Sequence, residues 1–446
     1  MQSVFYLLIT LAILIVVHEY GHYWVARRCG VKVLKFSIGF GKPLWKRVSK
    51  SGTEFSVSAL PLGGYVKMLD EREGEVDEHL RNQAFNNKSL AARSAIVIAG
   101  PLANLLFAIF AYWLIFMIGI PGQKPIISEV ELDSPAYVAQ LVTGDVILEV
   151  DGYKTPTLAS VTRILANIAI DGGKVDLLVS DGNSARDVEL DVAQYDFSNS
   201  AKPLLDSLGI KPYSIEVLPF IASVTDTGEA KKSGIQQGDK ILFVGNQQIN
   251  NWMDVVKLVQ ASPNTPLEFT IERQQQKYVL SVTPSAGDDG IGRIGAMVDV
   301  SKTTIDDRYL AIEQYGVFSA LYKGFSQTWQ FSSATVKSIV GMLMGEVSST
   351  NIGGPVTIAQ YAGSSAEHGL ISFMGFLAMI SISLGLLNLM PIPMLDGGHL
   401  AFYLIEWLRG KPLSEYTQSM LQKIGIMLLV MLMILAFFND LTRLFG

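Results

Sequence analysis

Four long stretches without a charged residue set the main constraint on how this chain can fold. They cover residues 4–17, 95–119, 370–395 and 424–439. A helix needs about 20 apolar residues to cross the hydrocarbon core of a bilayer. The two middle stretches are long enough, the first is long enough if its helix continues to residue 26, and the last needs flanking turns. With 49% hydrophobic and 17% charged residues, the chain is predicted to be a membrane protein and not a cytosolic enzyme.

The first stretch could also be the apolar core of a signal peptide. No Lys or Arg precedes it, however, and no small-x-small cleavage site ends it. We therefore expect a retained helix.

The charges are distributed unequally along the chain. Residues 27–93 carry 13 Lys and Arg against 7 Asp and Glu, whereas residues 122–323 carry 17 against 27. Because Lys and Arg near the ends of membrane spans mark the cytoplasmic side, the basic loop is predicted to be cytoplasmic. Four spans then place both termini and the long acidic segment outside.

The acidic segment contains an internal repeat with an offset of 94 residues. The stretch at 144–152 recurs at 238–246, and each copy has a Gly-Asp turn, a strand with alternating apolar residues and a tight hairpin turn. A helical stretch and β-rich sequence follow each copy. The repeat predicts two β-rich domains, at 122–212 and 213–305.

The first apolar stretch leads directly into His18-Glu19-Tyr20-Gly21-His22. Histidines four residues apart project from one face of a helix, so both can reach one Zn²⁺, and the intervening Glu19 can act as a general base. Two histidines packed at a helix end are the alternative. Ionisable residues inside a membrane span are functional by default, which favours the metal site.

The inner end of the third span offers two candidates for a third ligand, which a catalytic zinc site requires. Pro391 and Pro393 break the helix there, and Asp396 and His399 follow. Backbone groups freed at that depth are tolerated where they are buried in protein or line a watery cavity. The residue types alone do not separate Asp396 from His399, and a Pro-Gly turn with a solvated Asp is the alternative explanation.

Together these motifs resemble those of the site-2 protease family of intramembrane zinc metalloproteases. The resemblance rests on HExxH in the first span and on Asn-x-x-Pro-x-Pro-x-Leu-Asp-Gly-Gly at residues 388–398. It also rests on the repeat, which is similar to bacterial PDZ domains. It covers essentially the whole chain.

The resemblance implies a role for each residue of the site. It implies that Zn²⁺ is held by His18, His22 and Asp396, and that Glu19 is the catalytic base. Asn388 would support the substrate strand or the developing oxyanion. The other candidate for the third ligand becomes a neighbour of the site.

Two further segments are less specific. Residues 36–41 and 54–68 alternate as strands do and resemble the family's membrane-re-entrant β-loop; an amphipathic hairpin on the inner surface explains them equally. Residues 100–104 in the second span resemble another family motif, for which a helix kink with a small packing face is the alternative.

The predicted fold is a polytopic α-helical membrane protein with about four transmembrane helices, two inserted β-rich PDZ domains and a membrane-associated β-hairpin. In chain order, its predicted parts are transmembrane helix 1 with HExxH (1–26), a basic cytoplasmic loop with the re-entrant hairpin (27–93), transmembrane helix 2 (94–120), the PDZ domains (122–212 and 213–305), a connector (306–369), transmembrane helix 3 leading into LDGGH (370–395), a cytoplasmic connection (396–423) and transmembrane helix 4 (424–440). For the connector two interpretations stay open: an amphipathic helix on the outer surface, or a segment that packs on the spans.

The function that the resemblance implies is zinc-dependent endoproteolysis of a single-pass transmembrane substrate. The expected substrate is a pre-trimmed anti-sigma factor whose cleavage releases a sigma factor in an envelope stress response, with remnant signal peptides as a further class. Expected partners are this substrate, peptide or protein segments at the PDZ domains, and the lipid bilayer, with no nucleic acid. The expected location is the bacterial inner membrane, with the termini and PDZ domains periplasmic and the active site near the cytoplasmic face.

Two alternative functions are weighed against this one. A membrane zincin with a different substrate class also has HExxH near a span, but the tandem repeat and Leu-Asp-Gly-Gly argue against it. A catalytically inactive, membrane-anchored PDZ scaffold is opposed by the intact His-Glu-His set. Metal analysis would distinguish such a scaffold from the protease.

Overall fold

The computed structural model describes residues 2–445, except 73, 172, 194–202, 214, 288–289, 304–305 and 346–352. The chain forms two compact units, one from the residues up to 120 together with those from 314 onward, and the other from residues 121–313. The predicted boundary at 305 and the part of the connector at 346–352 lie outside the described residues.

The described residues contain helices and strands that are numbered here in chain order. The α-helices are α1 (Gln2–Arg28), α2 (Leu90–Ile118), α3 (Pro135–Val138), α4 (Leu158–Asp171), α5 (Leu204–Ser207), α6 (Glu229–Lys232), α7 (Trp252–Gln260), α8 (Val317–Met344), α9 (Pro355–Glu367), α10 (Leu370–Leu389), α11 (Asp396–Arg409) and α12 (Glu415–Phe445). The strands are β1 (Val33–Val48), β2 (Glu54–Met68), β3 (Ile120–Gln123), β4 (Ile127–Val130), β5 (Val146–Val150), β6 (Tyr153–Lys154), β7 (Lys174–Ser180), β8 (Ala185–Asp191), β9 (Ile210–Pro212), β10 (Ile221–Val224), β11 (Lys240–Val244), β12 (Gln247–Gln248), β13 (Leu267–Arg273), β14 (Gln276–Val282), β15 (Ser285–Ala286), β16 (Gly292–Arg293), β17 (Ala296–Val298) and β18 (Leu310–Glu313).

Four of the described helices are long and apolar enough to cross a membrane. They are α1, α2, α10 and the part of α12 from Glu415 to Thr442. The predicted number of spans is confirmed. The third helix ends earlier than the predicted residue 395, at Leu389, because Pro391 and Pro393 lack the backbone N–H that would continue it.

Helices α1 and α2 approach each other very closely where the HExxH motif lies. A Cβ atom at Gly21 would collide with the carbonyl oxygen of Ala99 and would lie 2.8 Å from the Cβ of Ala103. On the other side of α2, a Cβ at Gly385 of α10 would lie 3.0 Å from the carbonyl oxygen of Pro101. Glycine at these positions lets the helix backbones meet, as small residues do between membrane helices. Helix α2 is thus the central helix of the first compact unit, which contains the four spans and is called the membrane unit below.

The connector packs on the spans. The backbone N–H of Tyr315 donates to the carbonyl of Phe116 at 3.0 Å, which fixes the start of α8 at the end of α2. Further along α8, Gly324 faces the backbone of α2 at Ile109 and Trp113. Of the two interpretations of the connector, the structure has the second.

Helices α9 and α12 are joined by a carboxylate cap. Asp440 of α12 is buried and accepts hydrogen bonds from the backbone N–H groups of Gly354 (2.9 Å) and Val356 (2.8 Å) and from the hydroxyl of Thr357 (2.5 Å). The first N–H groups of a helix have no intrahelical acceptor, and a negative charge there is favourable. The cap therefore fixes the start of α9 to one end of the fourth span.

Strands β1 and β2 form an antiparallel pair in which both strands bend. Residues 35–38 of β1 have partners at 64–67 and also at 54–57 of β2. The segment around residue 64 forms an outer row of this small sheet and packs directly on α1. A Cβ at Gly64 would lie 2.7 Å from Ile15 Cγ2 and 2.9 Å from Glu19 Cγ.

The second unit contains two four-stranded sheets with the same strand order, β6-β5-β7-β8 and β12-β11-β13-β14. Each has its own apolar core, a short helix before the sheet (α3, α6) and a longer helix after its hairpin (α4, α7). Asp145 and Asp239 are fully buried at equivalent places, and each pairs with an arginine of its own sheet, Arg186 and Arg273 respectively. The predicted internal repeat is therefore present as two similarly built halves.

The contact between α8 and α2 leads to a stability prediction. A Cβ at Gly324 would lie 2.9 Å from the carbonyl oxygen of Ile109, whereas a Cβ at Gly375 of α10 would meet its nearest atom at 3.9 Å. We expect Gly324→Ala to lower the thermal unfolding midpoint in detergent, through an overpacking cost of about 1–3 kcal/mol. Gly375→Ala is the matched control and should leave the midpoint unchanged or raise it, because Ala favours a helix interior over Gly. Equal midpoints for the two variants would contradict this packing.

Candidate metal centre

Helix α1 carries the two histidines of the motif on one face. His18 Nε2 and His22 Nε2 lie 3.2 Å apart, with the two rings nearly perpendicular. This is the geometry that the spacing of four residues predicts. Both nitrogen atoms point toward the loop that follows α10.

That loop brings Asp396 to the two histidines. Asp396 Oδ2 lies 3.2 Å from His18 Nε2 and 3.5 Å from His22 Nε2. In the described part of the chain, these three residues form the one group of His, Cys, Asp and Glu whose ligand atoms converge closely enough to hold a metal ion. The side-chain geometry thus favours Asp396 over His399, a choice that the residue types left open.

The donor set fits zinc in number, chemistry and spacing. In a tetrahedral site with bonds of about 2.0–2.1 Å, two ligand atoms lie about 3.3–3.4 Å apart, close to the three separations found here. Asp396 Oδ2 is buried and makes no hydrogen bond of good geometry. A buried carboxylate oxygen without such a partner is costly unless a cation is near it.

Helix α2 holds the far sides of both imidazole rings. His22 Nδ1 lies 2.8 Å from the carbonyl oxygen of Ile96, and His18 Nδ1 lies 3.3 Å from the side-chain amide of Asn104. Between them, a Cβ at Gly100 would collide with His22 Nε2. Sequence reasoning missed these partners of the rings. Asn104 was visible only as part of the 100–104 motif, and a backbone carbonyl leaves no signal in a sequence.

Glu19 lies beside the three converging atoms without being one of them. It is buried between α1 and the row of the hairpin around Gly64. Both Glu19 and Gly64 line the same open pocket as the two histidines. A carboxylate next to the ligand set but outside it can exchange protons without occupying a coordination position.

The pocket has a volume of about 540 Å³ and also contains the other predicted residues. Asn388, in the last turn of α10, and His399, in the first turn of α11, both line it. Burial lowers the pKa of His399, so its ring is neutral at pH 7. His399 is therefore close to the site and outside the converging group.

A charged pair lies at the pocket wall outside the spans. Arg72 donates to Asp70 through its backbone N–H (2.9 Å) and its guanidinium (2.6 and 2.9 Å). Burial opposes the ionisation of Asp70, but these hydrogen bonds hold the pKa of its carboxyl below the usual range. Asp70 and Arg72 thus form a polar part of the pocket wall.

Comparisons with known proteins show the family to which the chain belongs. The model of the family described as Peptidase family M50 matches residues 6–432. The chain is 42% identical over 441 residues to the Escherichia coli protein named Regulator of sigma-E protease RseP, covering 98% of both chains. It is also 42% identical over 441 residues, again 98% of both chains, to a Vibrio cholerae protein named Putative zinc metalloprotease.

A solved PDZ domain of an SdrC-like protein from Listeria monocytogenes covers 20% of this chain and 92% of its own, at 13% identity and a TM-score of 0.17. The family match and the two relatives extend over nearly the whole chain. The protein uses zinc and is a metalloprotease, and the chain belongs to peptidase family M50.

Proposed function

We propose that this protein is an endopeptidase that cleaves single-pass transmembrane proteins within the membrane. The observation that carries the proposal is the position of the converging group. His18 and His22 lie within a span, and Asp396 follows directly on the broken end of another. A site built there acts on peptide bonds that enter the membrane unit.

In the proposed mechanism, His18, His22 and Asp396 hold the metal and Glu19 transfers protons. Zinc bound in such a site supplies a Lewis acid that polarises a carbonyl and makes water more acidic. Glu19 takes a proton from the attacking water and returns a proton to the leaving amine. Its burial beside the ligands keeps it within reach of both.

Asn388 is proposed to hold the substrate strand or to stabilise the oxyanion. It lines the pocket at the point where α10 ends. An amide at this point offers both an N–H donor and a carbonyl acceptor. These groups suit a peptide bond that has lost its helical partners.

The hairpin row around Gly64 is proposed to receive the substrate as an added strand. Residues 64–66 line the pocket, and among the described strands only β1 pairs with this row. A substrate helix hides its carbonyls in internal hydrogen bonds, so it must unwind before attack. Strand addition replaces those hydrogen bonds.

We further propose that the substrate is an anti-sigma factor whose outer part has already been trimmed, with remnant signal peptides as a second class. The support is the name of the E. coli relative, Regulator of sigma-E protease RseP. Cleavage would release a sigma factor in an envelope stress response. The proposed location is the inner membrane with the basic loop 27–93 cytoplasmic, so that both termini and the unit 121–313 are periplasmic.

The two halves of unit 121–313 are proposed to be PDZ domains, assigned to 122–212 and 213–305, that bind peptide segments and admit only trimmed substrates. Their shared strand order, and the buried Asp145 and Asp239 that each pair with an arginine of their own sheet, support one fold for both. PDZ domains bind extended peptides at a sheet edge.

The role of Glu19 predicts a separation of metal binding from catalysis. Glu19→Gln should retain zinc, measured by metal analysis of the purified protein. It should lower cleavage of a trimmed, membrane-anchored anti-sigma substrate by about 10²–10⁴-fold, since a general base is lost. Tyr20→Phe, at the neighbouring and largely exposed position, is the control and should keep both. Full cleavage by the Gln variant would refute the assignment.

The ligand set predicts which substitutions lose the metal. His22→Phe and Asp396→Asn should both reduce zinc content strongly, because each removes one of three converging donors. His399→Ala should retain zinc, because its ring lies outside the group. Loss of zinc from His399→Ala together with retention in Asp396→Asn would show that the third ligand is wrong.

If unit 121–313 admits only trimmed substrates, its removal should broaden the range of substrates that are cleaved. The N–H of Lys124 donates to the carbonyl of Tyr309 at 2.8 Å, so a deletion of 125–305 can be closed by a short linker. The deletion variant should cleave an untrimmed anti-sigma substrate that the full chain leaves intact, with trimmed substrate as the positive control for both. An unchanged preference for trimmed substrate would argue against gating.

A further inference from the structure

Asn104 lies on α2 against the far side of a proposed metal ligand. The residue is fully buried, and its Nδ2 lies 3.3 Å from His18 Nδ1. Its other side-chain atom, Oδ1, is buried with no hydrogen-bond partner. A buried amide oxygen without a donor is energetically costly. This oxygen belongs to the same amide group whose nitrogen faces His18 Nδ1.

The chemistry of His18 decides which amide atom belongs at this contact. If Nε2 gives its lone pair to a metal, the neutral imidazole carries its proton on Nδ1 and becomes a donor there. An amide –NH₂ is also a donor, so an Nδ2 facing Nδ1–H would set two donors against each other. The amide group keeps its shape when it rotates by half a turn, which exchanges Oδ1 and Nδ2. With Oδ1 facing His18, the orphaned acceptor and the new donor satisfy each other.

The partner of the other histidine supports this arrangement. His22 Nδ1 lies 2.8 Å from the carbonyl oxygen of Ile96, which can only accept, so His22 carries its proton on Nδ1 and leaves Nε2 free for a metal. Helices α1 and α2 thus meet so that His22 faces Ile96 and His18 faces Asn104, with Gly100 midway between them on α2. An acceptor at each end would fix both rings in the metal-binding tautomer.

We infer that Asn104 is a positioning residue of the metal site, whose side-chain oxygen accepts the Nδ1–H of His18 and holds its Nε2 toward the zinc. This inference rests on the proposed assignment of His18 as a ligand. It gives the 100–104 motif a second role besides close packing. Gly100 leaves room for the rings, and Asn104 orients one of them.

Three variants of the purified full chain test the inference, with zinc affinity measured by competition against a chelator. Asn104→Leu removes the acceptor at similar volume and should weaken zinc binding by about 10–100-fold, the range for outer partners of metal ligands. Asn104→Asp keeps an acceptor of the same shape and should bind zinc within about threefold of the parent. Ser381→Ala removes the 2.8 Å hydrogen bond from the Ser381 hydroxyl to the Asn104 backbone carbonyl, so it loosens the α2–α10 contact without touching the ring and should leave zinc affinity unchanged.

The visible absorption of the Co²⁺-substituted proteins is a second measurement, and a general loss of stability would not change it. The visible absorption of bound Co²⁺ should change in Asn104→Leu and match the parent in Asn104→Asp and Ser381→Ala, because only the first alters how a ligand is held. If Asn104→Leu does not fold, Asn104→Ala, which only opens a small cavity, replaces it with the same expectation.

The outcomes separate this inference from the assignment beneath it. Parental zinc affinity and Co²⁺ spectrum in Asn104→Leu, with loss of zinc in His18→Ala, would overturn the role of Asn104 alone. Loss of zinc in Asn104→Asp as large as in Asn104→Leu would overturn the acceptor orientation. Retention of zinc in His18→Ala would instead overturn the ligand set of the proposed function.

Discussion

The close approach of α1 and α2 is the contact on which the rest of the membrane unit depends. Polar and ionisable groups are expensive in an apolar medium unless each finds a partner. His18, Glu19 and His22 are three such groups on one turn of a span. They are accommodated because Gly21 brings the backbone of α2 within reach and Gly100 leaves the space that the imidazole rings fill. Any larger residue at either position would separate the helices and leave the polar groups unpartnered.

The end of α10 follows from the same requirement. A third donor must reach the histidines from another span, but a continuous helix would carry it past them. Pro391 and Pro393 stop the helix at Leu389, and Asp396 then starts α11 at the depth of the α1 histidines. Gly397 lies against the carbonyls of residues 389 and 390, where a Cβ would collide. The broken segment thus packs against protein at Gly397 and lines the pocket at Met394 and Leu395, the two settings in which irregular backbone is tolerated in a membrane.

Much of this organisation could be predicted from the sequence, because it depends on local periodicity. Two apolar runs long enough to cross the bilayer, and two more that are long enough with flanking turns, predicted the four spans, and the spacing of His18 and His22 predicted two ligands on one helical face. The 94-residue repeat gave two sheets of the same construction. Residue type could not choose between Asp396 and His399, since both are good zinc ligands three positions apart in the same turn of chain. Only the direction in which α11 starts separates them.

Other features depended on the register between helices, which no local pattern encodes. The carbonyl of Ile96 is chemically like any other, and it matters only because it faces His22. The composition of the connector left its packing on the spans undecided, and α8 lies along α2 because Gly324 permits a backbone contact there. The buried positions of α8 include Ala320, Gly324 and Thr328, so small residues lie on the face that carries the contact with α2.

In the proposed mechanism, the hairpin and the polar pocket wall lower the energetic cost of proteolysis in a bilayer. A substrate helix that unwinds in hydrocarbon would expose N–H and C=O groups at several kcal/mol each, a cost that would forbid the reaction unless other groups accept them. The row around Gly64 offers such groups directly beside Glu19, because its glycine lets it lie against α1. Hydrolysis also needs water, and the Asp70–Arg72 pair keeps one wall of the same pocket polar. In the proposed mechanism, one cavity therefore combines a strand edge that pairs with the unwound backbone and a polar wall at which water can bind.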